Sequence, residues 1–215
     1  MFEATSYAPT YQNTLDWHAA APREARTNET RLIQSAQQGN LEAFNRLVLA
    51  YQDIVYRQAY WMMGEQEAAE DAAQEAFIRA YQSIHSVYGT TFKAWLLRIT
   101  TNVCIDMLRR LKKHPVTSLE PVDEDGEEIE SASWMVAPGQ STENALESKE
   151  MMEAVGKSLT HLHPDYRAAI VLVDIQEMDY QAAARVMGVC MGTFKSRLAR
   201  ARLQLRNELT QVYGN

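Results

Sequence analysis

The chain has 215 residues, 46% of them hydrophobic, and a formal net charge of −7. That is enough chain and apolar content for one ordinary domain or two small ones with real cores, so a folded, soluble protein is expected. No apolar run approaches the roughly 18 to 20 residues of a bilayer-spanning helix, and the N-terminus lacks a basic-then-apolar secretory layout, so no membrane contact and a cytoplasmic location are expected.

Residues 1–28 are polar and irregular apart from Tyr7, Tyr11 and Trp17, and read as a flexible N-terminal extension. Beyond them apolar residues recur every three or four positions with hardly any strict alternation, which predicts an all-α protein. Helices are expected near residues 28–38, 40–63, 66–84 and 91–112, punctuated by Gly39-Asn40, Gly64 and Gly89. In "EDAAQEAFIRAY" the alanines and Phe77 make a packing side, leaving Asp71, Gln74, Glu75 and Arg79 to face outward in whole or part. In the next helix Phe92, Trp95, Leu96, Ile99, Val103 and Met107 lie mainly on one side. Arg98, Asn102 and Arg109 share another narrow stripe, extended by Arg110, Lys112 and Lys113. Trp95, inside the apolar stripe, is expected in the core, whereas Tyr88 in the loop "HSVYGTTF" is the freer aromatic.

The segment "VTSLEPVDEDGEEIESASWMVAPGQST" has Pro121, Gly126, Pro138 and Gly139 and no periodicity, and reads as a flexible linker. It separates two small helical domains, residues 29–113 and 141–215, with the linker itself at 114–140. Charge follows the same division. Residues Val116 to Glu150 hold ten acidic side chains and one basic, while Lys93 to Lys113 hold six basic and one acidic, and Thr193 to Leu209 five basic and one acidic. An acidic linker is thus flanked by two basic segments.

In the second domain helices are expected near residues 142–162, 164–176, 179–187 and 191–211, punctuated by His163-Pro164 and Gly188. "DYQAAARVMGVCMGTFKSRLARARLQLR" has the layout of a helix-turn-helix: a short alanine-rich helix, a glycine turn and a longer basic helix. Phe194, Leu198, Ala201, Leu205 and Leu209 form its inward stripe. Thr193, Ser196 and Arg200 lie broadly opposite, with Lys195, Arg197, Arg202 and Arg206 on the flanks. Hydroxyls and an arginine early on an exposed face suit base edges in a major groove, and flanking cations suit phosphates.

This helix pair is similar to the fourth region of bacterial RNA polymerase sigma factors of the extracytoplasmic-function (ECF) group. "EDAAQEAFIRAYQSI" followed by "FKAWLLRITTNVCIDMLRRLKK" resembles their second region, in the family order and with a linker between. The resemblance implies a protein that binds core RNA polymerase, directs it to promoter DNA and assists melting, under control of an anti-sigma factor and without covalent chemistry of its own. It assigns minus-35 duplex contacts to Tyr180, Thr193, Lys195, Ser196, Arg197, Arg200 and Arg202. Contacts with the minus-10 single strand fall to Tyr88, Lys93, Arg98, Asn102, Arg109, Arg110, Lys112 and Lys113, and polymerase contacts to Asp71, Gln74, Glu75 and Arg79. The acidic linker is implied to thread polymerase near its active-site cleft, with Trp134 and Met135 offering an apolar contact. Three departures stand out: Cys190 where the family often has proline, Phe194 where valine or isoleucine is usual, and a short loop from Ser86 to Thr91 with Val87 in an aromatic position.

Two other readings account for less. A stand-alone helix-turn-helix regulator leaves the outward face of "EDAAQEAFIRAY" and the acidic linker without a role. A metal-dependent hydrolase would need His161, His163 and Asp165 to converge, but two histidines at a two-residue spacing on a helix end point apart. No cofactor or metal is expected. Cys104 and Cys190 lack partners at disulfide or zinc spacing and read as buried or idle thiols.

Overall fold

The computed structural model describes residues 23–88, 91–113 and 142–213. Residues 1–22 of the expected N-terminal extension, the acidic linker with Trp134 and Met135, and the side chain of Lys113 lie outside the described residues, whereas residues 23–28, expected to belong to that flexible extension, are instead the opening turns of the first helix. The chain divides into two compact units, Met1–Leu47 and Val48–Asn215.

The first unit holds α1 (Arg23–Gln37) and the start of α2 (Leu41–Met63). Asn40 starts α2 by accepting a hydrogen bond from the Ala43 N–H at 3.1 Å, as a helix N-cap should. Ala36, Ala43, Phe44 and Leu47 are buried.

The second unit contains the rest of α2, then α3 (Gln66–Ser83), a 3₁₀ turn Ile84–Ser86 and α4 (Phe92–Lys113). It continues with α5 (Thr142–Thr160), α6 (Pro164–Ile170) running into a π-helical turn Val171–Ile175, α7 (Tyr180–Met187) and α8 (Met191–Tyr213). The all-α expectation therefore holds, and most helix ends lie within one or two residues of their expected places, the range over which helix ends fray, while α1 starts five residues earlier than expected.

Alanine spacing places α3: Ala69, Ala72, Ala76 and Ala80 are all fully buried, and this flat side lies against α4. Gln58 of α2 donates to the Leu97 carbonyl at 3.1 Å and the Thr101 hydroxyl at 2.6 Å, tying α2 to α4. The Thr100 and Thr101 hydroxyls also return to the Leu96 and Leu97 carbonyls, so both threonines are buried with their polar atoms satisfied. Only one apolar side of α4 is expected from periodicity, yet Leu97, Thr101 and Cys104 are buried too. The cause is that α4 packs against α6 and α7 as well as α3.

Those contacts form a seam between the two sets of helices that the linker separates in sequence. Trp61, 5% exposed, faces Gly156 of α5. Gly64 closes α2 at φ +86, and a Cβ there would stand 2.5 Å from the Thr160 methyl, so both backbone conformation and space demand glycine.

Candidate nucleic-acid and polymerase interfaces

The helix-turn-helix is built from local signals. Asp179 caps α7 by accepting from the Ala182 N–H at 2.8 Å, and Gly188, at φ +65, ends it in the left-handed conformation. The Val189 N–H reaches back to the Ala184 carbonyl at 3.1 Å. No atom would crowd a Cβ on Gly188, so the backbone angle alone selects glycine. Cys190 then opens α8, its carbonyl accepting from the Phe194 N–H at 2.9 Å.

Phe194 is fully buried, with Leu198 and Ala201 behind it and the Tyr180 ring 6.1 Å away. A ring larger than the family's usual aliphatic residue is thus accommodated in the domain core. Opposite that stripe Thr193, Lys195, Ser196 and Arg200 are exposed, and Leu203, 51% exposed, continues the same face. The remaining candidates on α8 are engaged. Arg202 forks onto Asp174, its Nε donating to Oδ2 at 3.1 Å, and this pairing with help from Tyr180 raises its pKa. Arg197 Nη1 lies 3.4 Å from Asp165 Oδ2. Tyr180 is 38% exposed beside Phe194.

The face of α3 is partly as expected. Asp71 and Gln74 are exposed, while Arg79 is drawn back by Glu75 at 2.6 Å and by Asp106 of α4 at 3.4 Å. Ile78 and Tyr81, 52% and 41% exposed, join Asp71 and Gln74 on one stripe, and the sequence reading overlooked them. Their helical angles were sufficient to find them, since steps of three, four and seven residues return to the same side.

Along α4, Arg98, Asn102, Arg109, Arg110 and Lys112 are exposed. Lys93 is not: burial, reinforced by neighbouring Arg57, holds its pKa below the usual lysine range, while Glu177 acts the other way. Trp95 is buried against Phe92, ring centroids 5.4 Å apart, and its indole N–H donates to Ser86 Oγ at 3.1 Å. Tyr88, 78% exposed, projects from the loop that this bond anchors.

The thiols differ sharply. Burial pushes Cys104 up to about 12, whereas the Thr193 hydroxyl, 3.1 Å from Sγ, and N–H groups opening α8 lower the pKa of exposed Cys190. Among the described residues no group of three His, Cys, Asp or Glu side chains is placed to hold a metal. His161 meets Glu208 at 3.2 Å, and His163 caps α6 by accepting from the Asp165 N–H, so the two histidines serve separate partners.

A helix-turn-helix with an open recognition face, beside a second bundle carrying its own cationic strip, defines a DNA-reading protein. Comparison with known proteins narrows that class. Residues 47–114 match the Sigma-70 region 2 family and residues 152–205 match Sigma-70, region 4. The ECF RNA polymerase sigma factor SigE of Mycolicibacterium smegmatis is 33% identical over 196 residues, 91% of this chain and 72% of that protein. SigW of Bacillus subtilis is 36% identical over 181 residues, 84% of this chain and 96% of that one. Among solved structures, the sigma factor RpoE bound to the anti-sigma factor NepR from Bartonella quintana superposes with a TM-score of 0.57 at 28% identity, covering 79% of this chain and 98% of that one. CnrH in complex with the cytosolic domain of CnrY has a TM-score of 0.58 at 22% identity over 86% of this chain and 98% of that one, a likeness of fold.

The chain belongs to the ECF RNA polymerase sigma factors. It is a transcription-initiation factor, not an enzyme, that works with core RNA polymerase at promoter DNA. No described helix is long and apolar enough to cross a membrane.

Proposed function

We propose that the domain at residues 141–215 reads the minus-35 duplex, and that the domain at 29–113 opens and holds the minus-10 strand. Thr193, Ser196 and Arg200 face the bases, with Tyr180, Lys195, Arg197 and Arg202 along the backbone. Tyr88, Lys93, Arg98, Asn102, Arg109, Arg110, Lys112 and Lys113 receive the single strand, where cations suit phosphates and an exposed aromatic suits an unstacked base. Asp71, Gln74, Glu75 and Arg79 meet polymerase, extended by Ile78 and Tyr81. The protein acts in the cytoplasm under an anti-sigma factor, by likeness to the RpoE neighbour with its NepR partner.

One observation carries the reading: Thr193, Ser196 and Arg200 are exposed on the side of α8 broadly opposite the buried Phe194, Leu198 and Ala201. Run-off transcription with purified core polymerase on promoters selected from genomic DNA tests it. Transcripts that need this protein, and that weaken with Arg200→Ala while the fold is kept, are expected. Folded protein that starts no transcript at any promoter would overturn the reading.

A further inference from the structure

Arg200 and Arg202 are near neighbours on α8 and point away from each other. At about 100° per residue, Arg202 lies about 160° round the helix from Arg200. With Arg200 turned to the bases, as the proposed function on which this inference rests requires, Arg202 faces back toward the body of the domain. There its Nε and Nη2 donate to the two carboxylate oxygens of Asp174, at 3.1 and 2.5 Å. The same guanidinium shares a hydrogen bond with the Tyr180 side chain. Asp174 sits within the π-helical turn Val171–Ile175, which the Gln176 N–H closes on the Val171 carbonyl at 2.9 Å, and α7 packs against both that turn and α8. Three successive elements of the domain thus meet through one small network.

As a staple this network is weak. The side chains of Asp174 and Arg202 are 38% and 46% exposed, and exposed ion pairs add little to stability. As an orienting device it is well made. The two-bond fork onto Asp174 fixes the plane of the guanidinium, and the guanidinium fixes the phenol. Arginine carries only donors, so the Tyr180 oxygen accepts from it and the phenol O–H is left to donate elsewhere. Tyr180 opens α7, is partly exposed, and rests its ring on Phe194 with centroids 6.1 Å apart, so the hydroxyl is the one part of the side chain with a free bond to make. In a helix-turn-helix the helix before the recognition helix crosses the DNA backbone, which brings phosphate oxygens to that end of the domain.

We infer that Asp174 is a positioning residue for minus-35 recognition: it holds Arg202, and Arg202 aims the Tyr180 O–H at a phosphate of the duplex. Of the four residues placed along the backbone by the proposed function, Arg202 therefore acts through Tyr180 and neutralises no phosphate itself. The sign of the effect separates this role from simple charge. A carboxylate beside DNA repels phosphates, and its loss would also free Arg202 to bind one, so charge alone makes binding tighter when Asp174 is removed. Positioning makes it weaker.

Holoenzyme assembled from the full chain and core RNA polymerase is titrated onto promoter DNA carrying both elements, first at one salt concentration and then across a salt series. Asp174→Ala should weaken binding about three- to tenfold, the worth of one net hydrogen bond. Tyr180→Phe, which keeps the ring on Phe194 and deletes only the hydroxyl, should cost about the same. Combined, the two should cost no more than either alone, because the hydroxyl is useful only while it is held. Unchanged or tighter binding by Asp174→Ala overturns the inference, and so do losses that add. Loss of fold alone would lower the thermal midpoint of Asp174→Ala and leave the penalty of Tyr180→Phe in place, which is the additive outcome. Arg202→Ala should leave the slope of log Kd against log salt unchanged. A slope shallower by about 0.9 would mean that Arg202 neutralises a phosphate directly, and overturns the inference as well. Arg200→Ala tells the two failures apart. If it binds like wild type, the minus-35 assignment fails and takes the inference with it; if it weakens binding while Asp174→Ala does not, the inference fails alone.

Discussion

α4 and α8 are both long cationic helices, yet they are held in different ways. α8 buries one stripe, Phe194, Leu198 and Ala201, and leaves its opposite face open. α4 is wrapped by α3 on one side and by α6 and α7 on another, so even Thr101 and Cys104 are inside and only a narrow cationic strip remains. The recognition helix therefore has its support within its own domain, while the other is supported from both ends of the chain. Substitutions in α8 should act locally, and substitutions in α4 should be felt across the seam.

The largest effect should come from removing the support of α8. Phe194→Ala should destabilise the second domain by about 3 to 5 kcal/mol through the cavity it leaves, read as a lower thermal midpoint with loss of minus-35 binding. Thr101→Val tests the other helix: it removes one acceptor of the buried Gln58 amide and should cost about 1 to 3 kcal/mol in denaturant unfolding. Unfolding at the same denaturant concentration as wild type would break the contrast. Arg200→Ala should weaken binding to a minus-35 duplex by about 1 to 3 kcal/mol, and Arg202→Ala by less, because Asp174 already holds that guanidinium. Equal effects would mean that Arg202 leaves Asp174 on binding. The smallest test is chemical. At pH 8 Cys190, with its lowered pKa and full exposure, carries more thiolate than an ordinary thiol and should react quickly with iodoacetamide. Cys104, buried and raised to about 12, should react only on unfolding.

Sequence periodicity was a good guide where the cause is local. Gly188, the Asp179 cap and the alanine side of α3 each act within a few residues, and each can be read directly. What escaped depends on residues distant in the chain. The second buried side of α4 carries threonines whose hydroxyls are satisfied by their own helix and by Gln58, so no apolar pattern announces it. The hold of Asp174 on Arg202, and the seating of Arg167 against the Met62 carbonyl, join residues 28 and 105 positions apart. A cation read from sequence as available for phosphate is available only until its carboxylate is found.

The packing of Trp61 onto Gly156 gives the seam an optical handle. Its indole is buried where the two sets of helices meet. In a variant retaining Trp61 as its sole tryptophan, separation of the domains should shift the emission to longer wavelength and admit a collisional quencher. Movement on promoter or polymerase binding then becomes a fluorescence signal, without any dye attached.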